Sequence, residues 1–157
     1  MDFLEWCQNS ALGAAIRHDA WTIPAIEILH LAGVVLLFGS VLITNLRFLG
    51  RILTSEPAGP LAADLGRWTR AGLMLLAVTG PLLFFAMPKK LFETPDFAMK
   101  LALVAVAATY YFTIYRRRVA TVVFDQAKTD YVKTAAAISL GLWIIAILAG
   151  LELGAFS

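Results

Sequence analysis

The chain has 157 residues, 60% of them apolar, with a formal net charge of +2 and a mean hydropathy of +0.77. That composition excludes an ordinary soluble domain, and the length leaves no room for a soluble catalytic domain beside a membrane one. The sequence contains no glycine-rich phosphate loop, no HExxH and no CxxC, and its single Cys7 excludes an intramolecular disulfide.

The opening "MDFLEWCQNS" is acidic, and no small-x-small site follows an apolar core, so it does not read as a cleaved signal peptide. Phe3, Leu4, Trp6, Leu12 and Ile16 alternate there with Asp2, Glu5, Gln8, Asn9 and Arg17. This pattern predicts a helix lying in the membrane interface; a frayed terminus is the alternative.

Four apolar stretches follow. The first span runs over about 21–46, with Pro24 tolerated in its first turn. "TSEPAGPLAAD", Thr54 to Asp64, is turn-rich and predicts a loop. The second span covers about 68–87 and is interrupted by Thr79-Gly80-Pro81, where the missing backbone donor predicts a kink. The third covers about 97–115, after Pro95, and the fourth about 134–156. Each supplies the ~20 helical residues that cross a hydrocarbon core about 30 Å thick. The expected fold is all-α: one integral membrane domain, a four-helix antiparallel bundle with an N-terminal interfacial amphipathic helix.

Lys and Arg are unevenly shared. The loops between spans one and two and between spans three and four carry nine: Arg47, Arg51, Arg67, Arg70, Arg116, Arg117, Arg118, Lys128 and Lys133. The other side carries four: Arg17, Lys89, Lys90 and Lys100. The positive-inside rule then places both termini outside, in the periplasm of a bacterial inner membrane. Tyr110, Tyr111 and Tyr115, next to the triple arginine, are expected in an interfacial aromatic belt.

Charges within the spans gather at one level. Glu27 and His30 lie in the first turns of span one, His30 roughly 10 Å below the helix end at ~1.5 Å per residue. Lys100 opens span three and Glu152 closes span four, both at the same end. Ionisable groups in a span are costly and mark function when they cluster. Glu27, His30 and Gly33 follow at three-residue spacing on one face. A glycine there leaves a flat apolar wall beside an imidazole, as an axially ligated haem requires, and histidine is a common haem ligand. Lys100 is then placed to pair a propionate, and Glu27 to orient the imidazole or handle a proton. The alternatives are structural. His30 pairs with Glu27 or a backbone carbonyl, Lys100 snorkels to headgroups, and Glu152 reaches water. His18, Met87 and Met99 are weaker candidate ligands.

"EILHLAGVVLLFGSVLITNLRFLG" resembles the first span of small bacterial four-span inner-membrane proteins with a Glu-x-x-His pair and an Asn-Leu-Arg-like ending. More distantly, the layout resembles protoporphyrinogen oxidases of the HemJ type and the membrane domain of copper-resistance D proteins. In the former, a span-one histidine and a lysine opening a later span are the polar hallmarks. His30 and Lys100, the latter in "FAMKLALVAVAATYY", stand in those positions, and "RAGLMLLAVTGPLLF" resembles their second helix. The likeness is close over the first span and loose elsewhere. It implies a haem-associated membrane protein.

The functional expectation is therefore haem b binding near the periplasmic face in a redox or electron-transfer role. His30 is the metal ligand, Gly33 and Lys100 contact the cofactor, and Glu27 is the candidate catalytic group. A symmetric homo-oligomer, dimer or trimer, would complete the site. The expected partners are the lipid bilayer and a quinone or redox protein, with no nucleic acid. Two other readings stay open: a cofactor-free accessory subunit, and an oxidoreductase acting on a porphyrin or quinone.

Overall fold

The computed structural model describes residues 3–92, 95–124 and 129–155, all built on helices and short connections with no strand among them. Two short helices, α1 (Phe3–Asn9) and α2 (Ala11–His18), precede the long α3 (Thr22–Phe48) and α4 (Ala58–Ala86). A single turn and a half, α5 (Pro88–Phe92), leads to α6 (Pro95–Tyr110). A π-helical turn (Tyr111–Tyr115) joins α6 to α7 (Arg116–Phe124), and α8 (Thr129–Ala155) closes the chain. Four segments are long and apolar enough to cross a membrane: Thr22–Phe48, Ala58–Ala86, Phe97–Ala120 and Asp130–Gly150.

The N-terminal region is two helices, because Ser10 caps the second: its Oγ accepts the Gly13 N–H at 3.1 Å. Phe3, Trp6 and Leu12 remain exposed, while Cys7, Gly13 and Ile16 are buried against the end of α4. Gly13 is required there, since a Cβ would lie 2.8 Å from the Phe85 carbonyl oxygen. Arg17 donates to the Phe85 and Ala86 carbonyls at 3.3 and 3.1 Å and also to the Gln8 carbonyl. It thereby supplies donors to carbonyls that the end of α4 leaves without helical partners. Glu5 and Lys89 face each other at 3.8 Å. The N-terminal hairpin is thus a cap seated on α4 and α5.

α3 ends in a Schellman motif. Gly50 takes φ +71, its N–H bonds the Arg47 carbonyl at 3.0 Å, and the Arg51 N–H bonds the Leu46 carbonyl at 2.9 Å. The Arg47 guanidinium then folds over the connection, donating to the Thr54 and Glu56 carbonyls. The turn expected over Thr54–Asp64 is correspondingly short. Helix begins at Ala58 after Pro57, with Pro60 in the first turn, where its missing donor costs nothing. At ~1.5 Å per residue the 29 residues of α4 exceed the hydrocarbon thickness, so its polar first turns project beyond the lipid core. Pro81 is exposed within a continuous α4 and has no N–H to donate to the Ala77 carbonyl.

α3 and α4 form the tightest pair. From one end to the other, His30 meets Thr79, Gly33 meets Leu76, Leu37 meets Gly72 and Ser40 meets Thr69. Each step moves three or four residues along α3 and the same number back along α4, as antiparallel helices require. α8 packs against both α3 and α6, so the helices follow the spatial order α4–α3–α8–α6. Among the described residues no Cα of α4 comes within 8 Å of one in α6. Along that edge Phe84 stacks on Phe97 at 5.9 Å near one end, and α7 packs on α4 at the other. Leu37, Val41, Ala107 and Trp143 form the central core.

The tyrosines depart from expectation. Tyr111 and Tyr115 are not in an interfacial belt: they are buried, stacked at 5.5 Å, in a cluster with Phe48, Val132, Ala135 and Ala136. The π turn contains one residue more than an α-turn would, which turns both rings into the bundle while Phe112 and Ile114 face outward. Tyr110 is partly buried, and its hydroxyl donates to the Ala135 carbonyl at 3.3 Å.

Candidate functional site

His30 projects from α3 at the seam with α4, half-buried, with Nδ1 2.8 Å from the Thr79 Oγ1. Thr79 is buried, and its Oγ1 lies 2.7 Å from the Leu75 carbonyl oxygen. A hydroxyl has one proton. Given to the Leu75 carbonyl, it leaves the Thr79 oxygen to accept, so the imidazole must donate through Nδ1–H. Nε2 then carries the free lone pair. This is the arrangement in which a ring nitrogen is available to a metal or a proton while the other nitrogen is fixed by the protein. Gly80, the next residue of α4, lies beside the ring: a Cβ there would be in ordinary van der Waals contact with Cε1 at 3.8 Å.

Lys100 enters from the opposite side of the open α4–α6 edge. It is half-buried and lies along α8, where a Cβ on Gly150 would be 3.1 Å from Cε and 3.2 Å from Nζ. Among the described residues no carboxylate pairs with it at salt-bridge distance. His30 and Lys100 are close enough to interact electrostatically. The Phe84–Phe97 stack lies about one helical turn beyond Gly80 and Lys100, so an aromatic pair covers the outer end of this edge. An imidazole on α3 and an ammonium on α6 thus lie within electrostatic reach of each other beside the edge where α4 and α6 make no close backbone approach.

Other expected site residues lie elsewhere. Glu27 is exposed on the outer face of α3, and the hydrogen-bond partner of the imidazole is Thr79, not Glu27. The difference is angular: three residues advance about 300° around a helix, so Glu27 and His30 diverge by about 60°. The flat wall expected at Gly33 is occupied by α4. A Cβ at Gly33 would meet the Leu76 Cγ at 3.1 Å and the Gly72 carbonyl oxygen at 3.3 Å, so this glycine serves helix packing. His18 ends α2 with its side chain exposed, and Met99 is 59% exposed. Met87 packs against the Ile16, Ile26 and Ala86 cluster. The Glu152 side chain lies outside the described residues. Among the described residues no three His, Cys, Asp or Glu side chains gather to hold a metal ion.

Sequence reasoning missed the uncharged polar ladder. Ser40 and Thr69 bond at 2.8 Å and Asn45 donates to Ser139 at 3.4 Å, all four buried in the bundle. The available signal was spacing: Ser40 and Thr44 repeat at i, i+4, and the next residue is Asn45. The importance of Thr79 was equally visible only as part of an apparent helix breaker.

A helical membrane bundle with a polar centre at one end of an open seam defines the class of this protein. Within that class the chain belongs to DUF6644, described as a family of unknown function, whose model matches residues 3–157. No curated protein and no solved structure matches it.

Proposed function

We propose that the chain binds haem b at His30 and serves a redox or electron-transfer role in a bacterial inner membrane. The observation that carries this reading is the His30–Thr79–Leu75 chain of hydrogen bonds, which leaves the Nε2 lone pair available to a metal. The residues fit the group in three respects: an oriented imidazole, an adjacent glycine in Gly80, and an ammonium without an acidic partner among the described residues in Lys100. Bound haem would supply a one-electron couple. Thr79 would fix the ring plane, Lys100 would neutralise a propionate, and Phe84 with Phe97 would shield the seam from water. One suitable histidine per chain favours a homo-oligomer that brings two such faces together. A quinone or a redox protein would be the electron partner, and Glu27, exposed on α3, would serve proton exchange at the surface. The uneven distribution of Lys and Arg supports periplasmic termini.

Protein purified in mild detergent from haem-replete cells should show a Soret band with reducible α and β bands. His30→Ala should lose them while keeping the thermal transition of the fold. A colourless, well-folded preparation would reject the reading and favour an accessory subunit, in which His30 and Thr79 only fix helix register. Paired fusions at the C-terminus test orientation: alkaline phosphatase should be active and a fluorescent protein dark.

A further inference from the structure

The arginine-rich end of the bundle holds a cavity of about 380 Å³ between α3, α4, the π turn and α7. Its walls are of three kinds. α4 presents a row of small residues, Gly59, Ala62, Ala63 and Gly66, at helical spacing. The π turn presents Tyr111 and Tyr115, and Arg70 and Arg116 stand at the rim, both exposed. The small residues keep the space open, and the π turn brings Tyr111 and Tyr115 to its wall.

The polar groups on these walls are not equivalent. The Thr44 and Thr69 hydroxyls donate to the carbonyls of Ser40 and Leu65, each four residues back. The Tyr115 hydroxyl has no partner among the described residues, although the residue is only 4% exposed. Among the described residues the other buried atoms of this kind are on Gln8, Asn45 and Trp143, none of which lines this cavity, and each such group calls for an explanation. Nearby, the Arg70 Nη1 and the Tyr111 hydroxyl converge on one spot of α4: a Cβ on Gly66 would be 3.7 Å from the first and 3.8 Å from the second. Among the described residues no carboxylate lines the cavity. The nearest acid in sequence, Asp64, pairs with Arg67 at 2.7 Å.

We propose that this cavity binds the phosphate headgroup of an anionic membrane phospholipid. The Tyr115 hydroxyl donates to a phosphate oxygen, and Arg70 and Arg116 supply positive charge at the rim. Among the described residues neither arginine pairs with a carboxylate, although the Arg116 guanidinium also lies 5.9 Å from the Phe112 ring centroid, and a neutral hydrogen-bond acceptor would supply no counter-charge. A small free anion would leave Val119, Ala62, Ala63 and Ala120 facing water. An anion attached to an apolar tail satisfies both, and basic pockets between spanning helices have this chemistry. The inference is independent of the haem reading, since the cavity lies at the opposite end of α3 and α4 from His30.

The test uses the full chain in nanodiscs of phosphatidylcholine, with and without phosphatidylglycerol, read by thermal unfolding and by native mass spectrometry of retained lipid. Phosphatidylglycerol should raise the unfolding midpoint and be retained. Tyr115→Phe should raise the midpoint in pure phosphatidylcholine, because it removes an unpartnered buried hydroxyl. The same change should weaken phosphatidylglycerol retention by about tenfold, the loss of one hydrogen bond to a charged group. Arg70→Gln, at an exposed position, should weaken retention without altering the midpoint in phosphatidylcholine. Phosphatidylglycerol that gives no rise, or the same rise in both variants, overturns the proposal. An equal rise from inorganic phosphate in pure phosphatidylcholine overturns the lipid assignment.

Discussion

The imidazole of His30 and the hydroxyl of Thr79 lie 2.8 Å apart across the α3–α4 seam, and the hydroxyl's own proton is directed to the Leu75 carbonyl. The chemistry available at His30 is therefore set by a residue 49 positions away. Thr79→Val keeps the shape and removes the acceptor. Titration of apoprotein with haem should show affinity reduced roughly 10- to 100-fold, the usual cost of losing the group that orients a ligating histidine. Thr79→Ser should restore most of it. Equal haem affinity in Thr79→Val and the wild type would remove the orienting role.

Gly72 sets the distance between α3 and α4. A Cβ there would lie 2.6 Å from the Leu37 backbone nitrogen and 2.8 Å from the Gly33 carbonyl oxygen, and neither can move alone. Gly72→Ala should cost about 1–3 kcal/mol, as overpacking does. A methyl group added at Gly39 or Gly141 would meet nothing within 4 Å, so alanine there should be neutral or stabilising by up to ~1 kcal/mol. Unfolding in detergent compares all three variants.

The Ser40–Thr69 contact at 2.8 Å is buried, yet Ser40 also reaches the Leu36 and Leu37 carbonyls. Removing either partner leaves the other with a backbone alternative. A double-mutant cycle of Ser40→Ala and Thr69→Val should give a coupling of about 0.6 kcal/mol, as for other hydrogen bonds between membrane helices. A coupling several times larger would make this contact the main fastener of the pair.

Arg17 holds the N-terminal hairpin on the end of α4 through the Phe85 and Ala86 carbonyls. Arg17→Gln should detach that cap more readily. Because the guanidinium is exposed, the expected cost is about 1 kcal/mol, below the usual range for a charged donor. Limited proteolysis should cleave before Thr22 faster in the variant, while the four spans stay resistant. Removing the exposed Glu5–Lys89 pair should change little.

Much of the fold was legible in the sequence because lipid imposes a simple rule. Backbone polar groups must be satisfied within each span, so apolar runs of this length become helices. The Schellman stop at Gly50 and the proline start of α4 are local events of the same kind. Boundaries were harder to read. Ala58 to Arg67 carries polar residues yet is helical, because only part of α4 has to lie in hydrocarbon.

The candidate site was legible in its residue types but not in its pairings. His30 and Lys100 stood out because charge in a span is costly. Thr79, Gly80 and Tyr115 did not, since hydroxyls and glycines carry no comparable penalty and commonly serve packing. The sequence by itself determined that four helices cross a membrane and that ionisable groups collect toward one end. Tertiary structure alone decided that His30 leans on Thr79 and not on Glu27, that Gly33 closes a helix crossing, and that two tyrosines turn inward. Those outcomes depend on rotation about helix axes, which is fixed by contacts between residues far apart in the chain.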